Sequence, residues 1–168
     1  LKRWLDCAEH FNVNSFHTID ADDPFFDGSE MIESLNLLAS GGYDVVFPTE
    51  SSSAGGASVG YSLTREVIKK ALINLEDDTD TEMMWFYLEK LDGVRMAILA
   101  ESRLQISGIR LTLDYEEDYW LLASIARILG NSASRDAVNQ LFLNNPDLAK
   151  VNFFRNEEWK EAQLSKKI

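Results

Sequence analysis

Hydrophobic and polar residues follow two periods along this chain, one typical of helices and one typical of strands. Apolar residues spaced three or four apart predict amphipathic helices, and short apolar runs rich in β-branched and aromatic residues predict strands. The predicted helices cover residues 1–12, 29–40, 65–75, 83–91, 115–129, 134–143 and 154–166. The predicted strands cover residues 14–19, 43–47, 57–63, 95–100 and 109–114. Because strands and helices alternate, the pattern indicates an α/β fold that binds ligands at the carboxyl ends of its strands.

Composition narrows the class of protein. The chain has 168 residues, of which 45% are hydrophobic, and this is enough for one α/β domain with a real core. Its formal net charge of −12 disfavours nucleic acid and anionic membranes as partners, because both repel an acidic surface. A single cysteine, Cys7, leaves no intrachain disulfide and predicts a reducing cytoplasm. No apolar run approaches the roughly 18 residues of a membrane span.

An acidic stretch follows the first predicted strand. Asp20, Asp22 and Asp23 cluster there, and Pro24 ends the run. Carboxylates concentrated at a strand end have two common uses. They hold a hard divalent cation through oxygen ligands, or they cap the next helix and stay solvated. The stretch alone leaves both interpretations open.

A second aspartate, Asp114, stands at the end of the predicted strand 109–114. Strand ends of an α/β sheet gather at one edge, so Asp22 and Asp114 are expected to lie close enough to share one ion. Glu117 follows Asp114 at the spacing of a capping box, so Asp114 is alternatively an N-cap of the next helix.

Two other segments each allow more than one interpretation. Residues 49–57 are rich in Ser, Gly and Ala, which favours a connector, although small residues also allow a backbone to approach a ligand. The predicted helix 83–91 contains Trp85, Phe86 and Tyr87, and aromatic clusters of this kind are usually core or subunit interface.

DADDP at 20–24 follows the first predicted strand, and RLTLDYEED at 110–118 runs from a later strand into a helix. On these two motifs the chain resembles the cytidylyltransferases that activate acidic sugars, the enzymes for 3-deoxy-manno-octulosonate, for sialic acids and for spore-coat polysaccharide. NPDLAKVN at 145–152 is similar to the tail of the spore-coat branch. The second motif is fairly specific, and the first is short.

This resemblance implies a Rossmann-like, three-layer nucleotidyltransferase fold and a homodimer that pairs near the aromatic helix. It implies transfer of CMP from CTP to an acidic sugar, with pyrophosphate leaving, for surface polysaccharide biosynthesis. Asp22 and Asp114 would be the catalytic residues that bind Mg²⁺, and Asp20, Asp23 and Arg110 would bind substrate. Magnesium commonly takes one or two carboxylates together with substrate phosphates and water, which suits two aspartates.

The family's N-terminal nucleotide-gripping loop, of the type Ala-Arg-x-x-Ser-x-Arg-x-Pro-x-Lys, is not found in this sequence. The chain opens at Leu1 within a predicted helix, so we expect it to be the C-terminal two thirds of a cytidylyltransferase-like fold. We also expect it to bind metal weakly and, on its own, not to turn over CTP. Two alternatives are a nucleotide-sugar glycosyltransferase, since Asp20-Ala21-Asp22 is an Asp-x-Asp motif, and a non-catalytic oligomerising domain.

Overall fold

The computed structural model is a mixed α/β structure that divides into two compact units. It describes residues 1–73, 75–76, 79–81, 83–101, 104, 106 and 108–165, without the side chains of 163–165. Unit 1 comprises residues 1–18, 29–47 and 60–99, and unit 2 comprises residues 19–28, 48–59 and 100–168. The predicted α/β class is confirmed. A division into two units does not decide whether residues 1–168 form a single domain, which stays a prediction.

Short strands and helices of varied length make up the secondary structure. The strands are β1 (Ser15–His17), β2 (Val45–Phe47), β3 (Ser62–Thr64) and β4 (Met96–Ile98). The helices are α1 (Lys2–His10), α2 (Gly28–Gly41), α3 (Glu50–Ser53), α4 (Arg65–Leu72), α5 (Trp85–Leu88), α6 (Glu116–Leu129), α7 (Arg135–Asn144) and α8 (Arg155–Ser165), and a 3-10 helix covers Pro146–Val151. No helix among the described residues is long and apolar enough to cross a lipid bilayer.

Unit 1 contains a four-stranded sheet in the order β1-β3-β2-β4. Strand β3 is antiparallel to both β1 and β2, whereas β2 and β4 are parallel. The registers place Phe16 opposite Leu63 and Val46 opposite Ala97. Parallel strands need a crossover connection, and the chain passes from β2 to β4 by way of α3, β3, α4 and α5.

Helix α4 buries its apolar face in unit 1. The Thr64 side chain accepts a hydrogen bond from Val67 N and so caps the helix. The core that α4 shares with the sheet and with α5 consists of Val45, Tyr61, Leu63, Val67, Ile68, Ala71, Met84 and Leu88. At the end of α2, Gly42 has a φ of 66°, the left-handed conformation expected of a helix stop.

Unit 2 is built from helices and extended loops, and none of its described residues belongs to a strand. Its core consists of Phe25, Ala57, Ile109, Leu111, Leu121, Leu122, Ile125, Val138 and Phe142. The apolar face of α6 therefore packs on Phe25 from the acidic loop and on the extended segment that precedes the helix.

The structure corrects three predictions. The strand predicted over 57–63 is displaced to β3, and the connector predicted over 49–57 contains the short helix α3. The strand predicted over 109–114 does not form; this segment is extended, but its partners are irregular loops. The predicted last residue of the final helix, Lys166, lies outside the described residues.

Candidate functional site

The acidic loop of unit 2 is a tight turn anchored by one aromatic side chain. Asp23 N donates to Asp20 O at 3.3 Å, and Phe26 N donates to Asp23 O at 3.1 Å. Phe25 is 4% exposed and lies in the core of unit 2, which fixes the turn to the helices. The turn leaves Asp22 exposed to solvent.

Asp23 points inward from the same turn. It is 6% exposed, and its Oδ2 accepts a hydrogen bond from Ser58 N at 2.9 Å. Its Oδ1 has no hydrogen-bond partner among the described residues. Burial raises the pKa of Asp23 to about 6, the neighbouring Asp22 and Asp20 charges add to the rise, and hydrogen bonds from Thr112 and Ser58 oppose it. The loop therefore combines an exposed carboxylate with a buried one that resists ionisation.

Asp20 lies half-buried at the start of the turn. Burial raises the pKa of Asp20, and the Asp22 carboxylate raises it further. Crowded carboxylates of this kind favour a bound cation, because a cation removes their mutual repulsion.

Backbone hydrogen bonds tie the extended segment 109–114 to two loops. Leu113 N donates to Asp22 O at 2.8 Å, and Leu111 N donates to Gly55 O at 2.7 Å. The first of these bonds joins the residue before Asp114 to Asp22 itself. The structure thus brings the two predicted metal-binding aspartates onto adjacent stretches of backbone, both within unit 2.

Arg110 holds the Asp114 carboxylate from inside the protein. The Arg110 side chain is 0% exposed, and its Nη2 lies 2.6 Å from Asp114 Oδ2. The Asp114 side chain is 34% exposed. One oxygen of this carboxylate is therefore engaged by a buried guanidinium.

Asp118 is the second partner of Arg110 and is itself 0% exposed. Arg110 Nε donates to Asp118 Oδ1 at 2.9 Å, and Arg110 Nη2 donates to Asp118 Oδ2 at 3.0 Å. Asp118 Oδ2 also accepts from the backbone N–H of Asp114 and of Tyr115, each at 3.0 Å. Asn152 Nδ2 donates to Asp118 Oδ1 at 2.8 Å and to Arg110 O at 3.0 Å.

These contacts set the charge states of the buried pair. Burial alone would raise the pKa of Asp118, but the hydrogen bonds from Arg110, Asp114 N, Tyr115 N and Asn152 lower it below the ordinary aspartate value. Burial would likewise lower the pKa of Arg110, but the hydrogen bonds to Asp118 and Asp114 raise it. Both groups are therefore charged across the ordinary pH range.

A second arginine–carboxylate pair flanks this cluster. Arg155 donates to Glu117 through Nε at 3.1 Å and Nη2 at 2.9 Å, and its guanidinium lies 4.8 Å from the Tyr115 ring centroid. The guanidinium of Arg110 lies 5.1 Å from the centroid of the same ring. The hydrogen bond from Arg155 lowers the pKa of Glu117, and the pKa of Arg155 is raised by the same bond.

Arg135 fixes the loop that faces the acidic turn. Its side chain donates to Gly56 O and, at 2.7 Å, to Ala57 O, while its backbone N–H donates to Asp27 Oδ2 at 2.7 Å. A Cβ added at Gly56 would lie 2.7 Å from Ser51 O, so a side chain at this position would clash with the backbone. Ala57, fully buried, has a φ of 62°, a strained value for a residue with a side chain.

The sequence located some of these residues and missed others. The predicted cap pairing Asp114 with Glu117 is wrong by one residue: the observed N-cap is Tyr115, whose N–H is accepted by Asp118. Asp118 stands four residues after Asp114 and eight after Arg110, a spacing that could have suggested the cluster. Asn152 ends the NPDLAKVN segment, but nothing in that segment indicated its contact with Asp118, and nothing local pointed to Arg135. The predicted substrate contacts of Asp20, Asp23 and Arg110 stay predictions.

Among the described residues, no group of three or more His, Cys, Asp or Glu side chains is arranged to hold a metal ion. Asp22 and Asp114 could therefore supply only part of a metal's ligands. Magnesium accepts such an arrangement, because water and phosphate oxygens complete its octahedron. The oxygen donors of the two aspartates are of the type that Mg²⁺ prefers.

The fold described above is similar to that of a protein of known structure. That protein is a cytidylyltransferase from Leptospira borgpetersenii serovar Hardjo-bovis (strain JB197), which superposes with a TM-score of 0.70 at 20% sequence identity. The likeness covers 88% of this chain and 63% of that one, and at this identity it shows a shared fold. No protein-family model matches the sequence, and no curated protein matches it.

Proposed function

We propose that this protein is a nucleotidyltransferase of the cytidylyltransferase type, which transfers CMP from CTP to an acidic sugar. The observation that carries the proposal is the hydrogen bond from Leu113 N to Asp22 O, because it unites the segments of two distant aspartates. The fold shared with a solved cytidylyltransferase supports the same class. The chain spans 63% of the length of that neighbour, so the transfer activity itself is part of the proposal.

In this proposal Asp22 and Asp114 are the catalytic residues that hold Mg²⁺. A magnesium ion bound there would neutralise the charge of the CTP phosphates and of the departing pyrophosphate. Asp22 offers an exposed carboxylate, and Asp114 offers a carboxylate that Arg110 holds by one oxygen. Both carboxylates are therefore accessible from solvent.

The other predicted site residues act beside Asp22 and Asp114. Asp20 and Asp23 shape the acidic turn next to Asp22. Asp20, which is half-buried, is proposed to bind substrate, whereas Asp23, which is 6% exposed, is assigned an indirect effect through that turn. Arg110 is fully buried, so we assign its effect on the substrate to the Asp114 carboxylate that it holds.

The acidic sugar, the role in surface polysaccharide biosynthesis, the homodimer and the cytoplasmic location belong to the proposal. The sugar, the biosynthetic role and the homodimer are supported by the sequence resemblance carried by residues 20–24, 110–118 and 145–152. The location is supported by the single cysteine, Cys7.

Calorimetric titration with Mn²⁺ tests the metal site. We expect Asp22→Asn and Asp114→Asn each to weaken binding at least tenfold, because each removes a charged ligand from the ion. Asp147→Asn is the matched control, since this carboxylate is 84% exposed and pairs with Lys150 outside the site. If both site variants bind Mn²⁺ as the wild type does, the proposed site is wrong.

Competition between nucleotides tests the class of reaction. In the presence of Mn²⁺ we expect the protein to bind CTP in preference to UDP-sugars. The reverse preference would favour the glycosyltransferase that an Asp-x-Asp motif also allows. Wild-type protein that binds neither metal nor nucleotide would favour a non-catalytic domain.

A further inference from the structure

Arg110 in unit 2 lies between two carboxylates of unequal exposure. Asp118 is 0% exposed and binds the guanidinium through both of its oxygens, at 2.9 and 3.0 Å. Asp114 is 34% exposed and shares only one contact with it, from Oδ2 to Nη2 at 2.6 Å. Among the described residues, Arg110 Nη1 has no hydrogen-bond partner.

The charges of Arg110, Asp118 and Asp114 do not cancel. A buried guanidinium must be offset by an anion, because an unpaired buried charge is strongly destabilising. The bidentate pair with Asp118 meets this requirement by itself. The negative charge of Asp114 is then not neutralised within the cluster, and it lies on the partly exposed side.

The local backbone holds Asp118 in position to pair with Arg110. Asp118 occupies the first turn of α6 and accepts the N–H groups of Asp114 and Tyr115, so its carboxylate is turned back toward the preceding segment. Asn152, fully buried, holds the same carboxylate from the far side through Nδ2 at 2.8 Å. Together with Arg110, these three groups fix an acid that does not itself face solvent.

We propose that Asp118 is a positioning residue for the metal site: it neutralises Arg110, so that Asp114 keeps a full negative charge to offer to the metal. This inference rests on the proposed function, since it concerns the same ion. Asp118 does not touch the ion and acts through Arg110. Without Asp118, Asp114 is the remaining counter-ion of Arg110. The guanidinium then competes with the cation for the Asp114 carboxylate.

The test is calorimetric titration of the full chain with Mn²⁺. Asp118→Asn should weaken Mn²⁺ binding at least tenfold, because a unit charge a few ångströms from the ligand acts through an effective dielectric of only about 20. Glu117→Gln is the matched control: it lies in the same helical turn and also removes one carboxylate. Its partner, however, is Arg155 and not Arg110, so we expect binding within twofold of wild type.

A double variant separates charge compensation from a merely structural role. Arg110→Met combined with Asp118→Asn removes both members of the buried pair, and apolar replacement of such pairs is often tolerated. If Asp118 serves to offset Arg110, the double variant should bind Mn²⁺ within threefold of wild type. A residue needed only for folding would leave the double variant at least as impaired as Asp118→Asn. Circular dichroism verifies that each variant is folded at the temperature of titration.

Each outcome has a distinct meaning. Wild-type binding of Mn²⁺ that is lost in Asp114→Asn, weakened in Asp118→Asn and restored in the double variant supports the inference. Unchanged binding by Asp118→Asn overturns it while leaving the metal site intact, and so does a double variant that binds more than tenfold more weakly. If Asp118→Asn does not fold, the double variant alone decides. Absence of Mn²⁺ binding by the wild type overturns the proposed function itself.

Discussion

At the scale of single residues, Asp23 combines burial with a missing hydrogen bond. Its Oδ2 accepts from Ser58 N, whereas its Oδ1 has no partner among the described residues, and burial is the main reason that its pKa is raised to about 6. The folded protein therefore holds a proton here that the unfolded chain releases near the ordinary value of 3.8. A carboxyl group of this kind makes folding less favourable as the pH rises through that interval.

We predict that Asp23→Asn removes this pH dependence. The free energy of unfolding of the variant, relative to wild type, should increase between pH 4 and pH 6 and be constant above that. At 1.36 kcal/mol per pKa unit, the full increase is roughly 3 kcal/mol. Urea titrations in EDTA at several pH values measure it, with the exposed Asp147→Asn as control. A difference that does not change with pH would contradict the prediction.

Arg135 is a second residue whose role is clear from its contacts. Its guanidinium satisfies the carbonyl groups of Gly56 and Ala57 in a segment where Ala57 is held in a left-handed conformation. Such strain persists only where surrounding contacts enforce it.

We predict that Arg135→Met destabilises the protein by roughly 3 kcal/mol, because two carbonyl groups lose a charged donor. Arg127→Met, an exposed change on α6, should alter stability by no more than about 0.5 kcal/mol. Urea unfolding of both variants provides the measurement. Equal effects of the two substitutions would show that the Arg135 contacts contribute nothing specific.

At the scale of elements, helix α7 begins with a side-chain cap. Ser134 Oγ accepts from Ala137 N at 3.3 Å, and the helix then places Val138 and Phe142 in the core of unit 2. We predict that Ser134→Ala costs about 1 kcal/mol of stability. Ser132→Ala, in the exposed turn before the helix, should be neutral within about 0.5 kcal/mol. Thermal unfolding of the pair measures the cap, and a neutral Ser134→Ala would show that solvent replaces it.

Several elements could be predicted from the sequence because their signals are local. Helix α4 has an apolar stripe and a capping threonine, and both act within a few residues. The segment 109–114 has a strand-like pattern, and it is indeed extended. Its backbone partners are Asp22 and Gly55, which lie in loops, and hydrophobic periodicity carries no information about which partner a strand finds. That is why the pattern predicted a strand here although the structure has none.

The same contrast between local signals and distant partners applies to the candidate site. The acidic loop and Asp114 could be predicted because carboxylates after apolar runs are visible in the sequence. The buried state of Arg110 could not, because it depends on Asn152 and on a helical turn that brings Asp118 back toward it. A charged residue inside an apolar run looks like an exposed ligand contact until its buried partners are known.

At the scale of the whole molecule, we predict a homodimer that pairs through residues around the aromatic helix α5. Phe86 lies there, partly exposed, with the Lys90 ammonium 3.2 Å from its ring centroid. Light scattering at tens of micromolar, a range chosen from affinity arithmetic, should give twice the chain mass of 19.0 kDa. Phe86→Glu should give the monomer, whereas Phe11→Glu, on the 68% exposed Phe11, should not. A monomeric wild type would contradict the prediction.

The hydrogen bond between Leu113 N and Asp22 O also has a thermodynamic consequence. Asp22 and Asp114 are far apart in the sequence, so an unfolded chain presents them separately and the folded chain presents them together. An ion that requires both stabilises only the folded state, by about 2.7 kcal/mol when its concentration is 100 times the dissociation constant. The melting temperature of the wild type should therefore increase with added Mn²⁺, and that of Asp114→Asn should stay constant. Thermal unfolding thus measures whether the two carboxylates bind the same ion.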